Sequence, residues 1–314
     1  MINTPVCELL GIKIPVIQGG MAHISDACLA AAVSDAGGLG IISAASGDVD
    51  FVAGEIDKIR TLTDKPFGVN VMLQGKNIEQ IAQLLADKKV PVVTTGAGTP
   101  EKYMPMWKQA GIKVVPVVPS ASIAKLVERC GADAVIAEGG ESGGHVGDMT
   151  TMALVPQVCD VVSIPVIAAG GIGDGRGIAA AFMLGAVGVQ IGTRFLLATE
   201  CNISRTYKDK ILKANDTSTI VTGRRLGHPV RSIKSPFSRA YAKAEYSDIS
   251  DEQLENMAVG SLRYAVVDGD EKKGSFLAGQ ISGMLNKEQS SKEIIDEIIS
   301  DAENILNGAK QWVK

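Results

Sequence analysis

Eight short apolar runs, spaced almost evenly, constrain this chain more than any other feature. They are IPVIQGG from Ile14, LGIISA from Leu39, PFGVNVML from Pro66, VPVVTTGAG from Val90, KVVPVVP from Lys113, AVIAEG from Ala134, PVIAAGG from Pro165 and VGVQIGTRF from Val187. Their starts lie 21 to 31 residues apart, about one strand-plus-helix unit each. The runs are apolar on both faces, as in a parallel sheet covered on both sides. Helical patterns stand between them, such as ISDACLAAAVSDAGG and SASIAKLVERCGA; the second opens on a capping serine and ends at Gly131. Eight such units are the number that closes a TIM (β/α)8 barrel. An open doubly wound sheet is the alternative, but QGGM stands where its GxGxxG would follow the first strand.

With 314 residues, 46% hydrophobic and 21% charged, the chain can build such a core and is too apolar for disorder. After the eighth run the pattern breaks. Residues 200–265 read as a small cap subdomain inserted on the barrel's C-terminal face, between a barrel at 1–199 and a returning segment at 266–314. From Ile203 to Glu245 there are ten Lys or Arg against three acidic residues, including Arg224, Arg225, Arg231, Lys234 and Arg239. These charges face solvent, or they face the site's mouth and meet nicotinamide phosphates or an acidic carrier protein. The last segment, from Lys287, is an amphipathic surface helix with a capping serine, expected to close the barrel wall.

The net charge of −4 gives no reason to expect nucleic acid. Cys7, Cys28, Cys130, Cys159 and Cys201 are scattered, without a CxxC pair, so neither zinc nor a disulfide framework is expected. MINTPVCELLG lacks the basic start and apolar centre of a signal peptide. The most apolar window, 178–198, is broken by glycines, Gln190 and Arg194, and reads as a helix followed by a buried strand. A cytoplasmic protein without a membrane span is expected.

Barrel enzymes place chemistry at the C-terminal ends of their strands, and there the glycines gather. The runs end in QGGM, TTGAG, AEGGESGGH, AAGGIGDG and IGTRF. Loops after the last two strands commonly bind phosphate, through backbone N–H groups and a helix N-terminus. Gly170, Gly171 and Gly173 would donate from one loop, Gly192 and Thr193 from the other. A phosphate site beside a wide glycine-lined mouth suits FMN. Asn70 and Gln190, polar residues in apolar strands, need partners and could bond the flavin ring or the ribityl chain.

These motifs, with AGGLGII, DKPFGVNVML, IPVIAAGGI, LGHPVRSIK and SFLAGQISGM, resemble the flavin-dependent enoyl-acyl carrier protein reductases. Nitronate monooxygenases share the barrel and most of the motifs. The resemblance covers nearly the whole chain. It implies one FMN per subunit, a homodimer, NADH or NADPH as co-substrate, and an enoyl thioester on acyl carrier protein as partner substrate. It also implies FMN contacts from Gly20, Met21, Asn70, Gly170, Gly171, Gly192 and Thr193. Catalytic His145 would lie over the open flavin face, flanked by Glu138 and Gly144. Gly279 and Gln280 would approach from the returning segment. The family responds to monovalent cations, but no motif locates an ion. Inosine monophosphate dehydrogenases are similar around strands seven and eight, yet need a cysteine there; none lies between Cys159 and Cys201.

The implied reaction is reduction of trans-2-enoyl thioesters in bacterial fatty-acid elongation. Imidazole can stabilise the developing enolate or protonate the α carbon near neutral pH. Nitronate oxidation with FMN and O2 is the alternative, and a phosphate-binding barrel without redox chemistry is a third. His23 and His228 are expected in surface or structural roles.

Overall fold

The computed structural model describes residues 2–45 and 48–312. All eight apolar runs are strands. In chain order they are β1 (Val16–Gln18), β2 (Gly40–Ser43), β3 (Phe67–Met72), β4 (Val92–Gly96), β5 (Lys113–Val118) and β6 (Val135–Glu138). A two-residue strand, β7 (Gly144–His145), precedes β8 (Val166–Ala169) and β9 (Gly188–Ile191). All but β7 pair in one parallel sheet of order β1-β9-β8-β6-β5-β4-β3-β2. The ends of that sheet meet. Ile17 bridges Leu39 in parallel, and Gln18 N donates to Leu39 O at 3.0 Å while Leu39 N donates to Val16 O at 2.9 Å. The buried Gln18 amide braces the seam by accepting from Ile41 N at 3.1 Å. The fold is therefore a TIM barrel, not an open doubly wound sheet.

The helices follow from local sequence. Ser120 caps Ala121–Arg129, and Asp26 caps Ala27–Asp35, each side chain accepting from a backbone N–H inside the first turn. The apolar window at 178–198 resolves into the end of helix Gly175–Met183, then β9, then a tight turn at Thr193–Leu197. Ile17, Ile41, Val92, Val115, Ile136 and Ile167 form one apolar cluster with Val6 and Leu10 of the N-terminal helix Pro5–Leu10.

After Leu197 the chain forms the cap: helix Arg205–Leu212, β10 (Thr219–Thr222), β11 (Val230–Ile233), and helices Pro236–Ala244 and Asp251–Ala258. β10 and β11 are antiparallel. Their third strand is β7, which belongs to the barrel loop after β6, with Val230 opposite His145 and Arg231 opposite Gly144. The final helix, Ser291–Gly308, opens with a capping box of Ser290 and Glu293. It lies against helix Gly175–Met183 so closely that a Cβ on Gly175 would stand 2.4 Å from Ala302 N.

Candidate active site

A cavity of about 630 Å3 opens where β1, β3, β6, β8 and β9 end. Gly20, Met21, Asn70, Glu138, Gly144, His145, Gly170, Gly171, Gln190, Gly192, Thr193 and Gly279 all line it. Two expected residues do not. Gly173 is buried, with its Cα face set against Ile281; an added Cβ would meet the Ile281 Cβ at 3.1 Å. Gln280 is exposed, and its backbone N–H donates to Glu141 O at 2.9 Å. His23 is also exposed and outside the lining.

The loops after β8 and β9 form one wall. Gly170 and Gly171 hold φ of +86° and +73°, a backbone region that side chains rarely adopt. At Gly170 a Cβ would also press to 2.6 Å from Gly139 O. Among the described residues, the N–H groups of Gly170, Gly171, Gly192 and Thr193 find no backbone acceptor. The helix that follows β8 does not add its N-terminus to this wall. Asp174 already accepts from Arg176 N at 2.9 Å and Gly177 N at 3.3 Å. An anion here would sit on loop amides rather than on a helix end. The Thr193 hydroxyl is engaged too, accepting from Gly279 N at 2.8 Å.

Polar side chains rise from the floor. Thr94 donates its hydroxyl hydrogen to Asn70 Oδ1 at 2.9 Å, which leaves the Asn70 amide nitrogen as a donor. A Cβ on Gly20 would stand 2.3 Å from the Asn70 Cβ, so glycine there lets the first turn close over Asn70. Gln190 Nε2 lies 3.5 Å from Glu138 Oε2, and the Ser142 hydroxyl donates to Glu138 Oε1 at 3.3 Å. Desolvation pushes the Glu138 carboxyl up to about 7, against the smaller opposing effect of Ser142. A carboxyl tuned there can donate or accept a hydrogen bond at neutral pH.

The loop from Glu138 to Gly147 brings His145 to the same cavity, and four contacts fix it. Gly143 packs on the returning chain, where a Cβ would stand 2.6 Å from the carbonyl carbon of Ala278. Glu141 caps helix Thr151–Cys159, accepting from Thr151 N at 3.0 Å and from the Thr151 hydroxyl at 2.9 Å. The Arg231 guanidinium donates to Gly140 O at 2.9 and 3.2 Å. Pairing of β7 with β11 supplies the fourth. Burial holds the His145 imidazole below its ordinary value, and His228, also lining the cavity, lowers it further.

Sequence reasoning missed Glu141 and His228 as lining residues, and took Arg231 for a solvent or mouth charge where it braces the loop through Gly140. His228 stands two residues before β11, in GHPVR. Its position could have been found only by pairing that stretch with GGH, more than eighty residues earlier.

The fold is a (β/α)8 barrel with a cavity at the C-terminal ends of its strands, and the comparisons place the chain among oxidoreductases. The chain belongs to the nitronate monooxygenase family, whose model matches residues 3–86 and 73–301. It is similar to FabK from Thermotoga maritima: 48% identity, all of both chains covered and a TM-score of 0.98. It is also 34% identical to a 5-hydroxy-7a-methyl-1-oxo-octahydro-1H-indene-4-carboxyl-CoA dehydrogenase from Mycobacterium tuberculosis, over 100% of this chain and 99% of that one. A probable nitronate monooxygenase from Staphylococcus aureus is 34% identical, with 95% of this chain and 97% of that one covered.

Proposed function

We propose that this protein is an FMN-dependent reductase of trans-2-enoyl thioesters carried on acyl carrier protein, using NADH or NADPH. The observation that carries the reading is that one cavity is lined both by a backbone cradle at the ends of β8 and β9 and by His145 on a braced loop. The full-length similarity to FabK supports the same reading.

The residues fit the cofactor. The unpaired N–H groups of Gly170, Gly171, Gly192 and Thr193 suit a phosphate. At Gly192 a Cβ would enter open cavity, with only Met21 Sδ near, at 3.8 Å. Asn70 and Gln190 offer amide donors to the flavin edge, and Glu138 offers a carboxyl that can share a proton with it. Bound FMN would supply the hydride taken from the nicotinamide.

The protein's own part is positional and acid–base. Gly144, whose Cβ position has only Leu277 Cδ1 near at 3.9 Å, leaves room for a thioester beside the histidine. The His145 imidazole, kept neutral by its depressed pKa, donates an N–H hydrogen bond to the thioester oxygen as enolate character develops.

Nitronate oxidation is the second reading, favoured by the family model and the Staphylococcus aureus relative. Anaerobic addition of NADH or NADPH to the flavin-loaded protein separates the two. Bleaching followed by reoxidation with crotonyl thioester supports enoyl reduction. No bleaching, with O2 uptake on a nitronate, overturns it.

A further inference from the structure

The basic segment of the cap does not act as one patch. Arg231 points inward to Gly140. Arg225 is bound by Asp251 at 2.9 Å and by the carbonyls of Ser247 and Ile249 at 3.1 and 2.7 Å. Lys208 is buried on Ala198 O at 2.8 Å. Arg224 pairs with Asp148 at 3.2 Å. Positive charge is left elsewhere, around a recess of about 520 Å3 that shares no lining residue with the catalytic cavity.

Lys210, Lys213, Lys234 and Arg239 line that recess, against Asp209 and Glu271, so four cations oppose two carboxylates. Both carboxylates are occupied. Glu271 pairs with Lys210 at 3.0 Å, and Asp209 pairs with Arg205 at 2.5 Å. Among the described residues Lys213, Lys234 and Arg239 make no ion pair. They are exposed and come from three separate places: the end of one helix, the end of β11 and a second helix. In a chain of net charge −4 this is a local reversal of sign.

We propose that this recess is the docking surface for the acidic carrier protein that presents the thioester. The inference rests on the enoyl-thioester reading above. Three exposed, unpaired cations spread across a rim suit a row of carboxylates on a partner helix, which recur one turn apart. Complementary charge of this kind raises association rate and selects the partner. The recess is also tied to the site. β11 runs from Val230, opposite His145, to Ile233, a recess-lining residue. Three residue steps span about 10 Å of strand. A thioester on a flexible arm, anchored at the recess, stays near the cavity.

The test uses the flavin-loaded enzyme and three proteins: wild type, Lys213→Glu/Arg239→Glu, and Arg224→Glu as a control that does not line the recess. Two quantities are read. The first is binding of a fluorescein-labelled apo acyl carrier protein by anisotropy, over a salt series. The second is kcat/KM for carrier-bound and pantetheine-bound enoyl thioesters. Docking predicts roughly tenfold weaker carrier binding and kcat/KM for the double variant, with a flattened salt dependence. It predicts pantetheine turnover within about twofold of wild type. Unchanged carrier binding in the double variant overturns the proposal, as does an equal loss in Arg224→Glu. If the enzyme reduces neither thioester, the reduction reading falls, and the anisotropy result still decides whether the carrier docks here.

Discussion

Arg231 holds Gly140 by its side chain and pairs with Gly144 by its backbone, so one cap residue spans the loop that carries His145. Its Nη2 and Nε converge on a single carbonyl oxygen. The fork matters, because a lysine could offer the charge but not the paired geometry.

Arg231→Ala should free the loop without emptying the cofactor cradle. The loss of a charge-assisted pair on a half-buried carbonyl costs about 1–3 kcal/mol. Flavin absorbance should be kept, while enoyl kcat falls by about tenfold or more. Arg231→Lys should recover part of kcat. Wild-type kcat in Arg231→Ala would show that Gly143, Glu141 and the β7–β11 pairing suffice to fix the loop.

His145→Ala tests the acid–base assignment. Enoyl turnover should fall by about two to four orders of magnitude with FMN still bound. Reduction of the flavin by nicotinamide, followed at its absorption band, should change far less. Loss of flavin together with turnover would mark His145 as an anchor of its loop instead.

Gly192→Val tests the cradle with little backbone penalty. The φ of Gly192 is −105°, open to any residue, and its Cβ position is free of protein atoms below 3.8 Å. A folded but colourless protein is expected, with an unchanged circular dichroism spectrum. Gly171→Val should also lose flavin, but at φ +73° it carries backbone strain of about 1–2 kcal/mol as well. Full flavin occupancy in both variants would move the phosphate elsewhere.

Glu138 should leave a signature in stability against pH. Its carboxyl is raised from 4.5 to about 7 by desolvation, so the folded state binds this proton more tightly than the unfolded chain. Stability from this group is full below about 4.5 and is lost as pH rises towards about 7. His145, whose imidazole is depressed, acts in the opposite sense: its contribution is lost as pH falls below the ordinary histidine value. Thermal melts of flavin-free protein should show Glu138→Gln removing the loss on the rising side. An identical pH profile in wild type and Glu138→Gln would mean that the carboxyl is not desolvated.

The barrel was visible in the sequence because parallel strands buried on both faces are continuous apolar runs, and all eight became strands. Gly170, Gly171, Gly192 and Thr193 were visible because strand-end glycines mark a backbone surface. What stayed hidden was pairing at a distance. β7 is only Gly144 and His145, too short for any periodicity, and it becomes a strand only because β11 lies beside it. The basic residues were legible as composition but not as partners. Arg225 and Arg231 look alike in sequence, yet one pins the cap to itself and the other holds the histidine loop. Gly173 shows the converse limit: it shares a loop with the cradle but turns towards Ile281.

The loop bearing His145 is made from chain segments born far apart. Gly143 needs Ala278 behind it, Gly144 needs Arg231, and the Thr193 hydroxyl needs Gly279. A growing chain that has emerged only through β9 has every barrel strand but not the catalytic face. Such long-range contacts form late, because loop closure must precede them. Synthesis proceeds at roughly 5–20 residues per second, so this interval lasts seconds. On the reading proposed above, a nascent barrel in that interval would be a scaffold whose His145 loop is not yet held, and enoyl reduction would wait for the returning segment around Ala278 and Gly279.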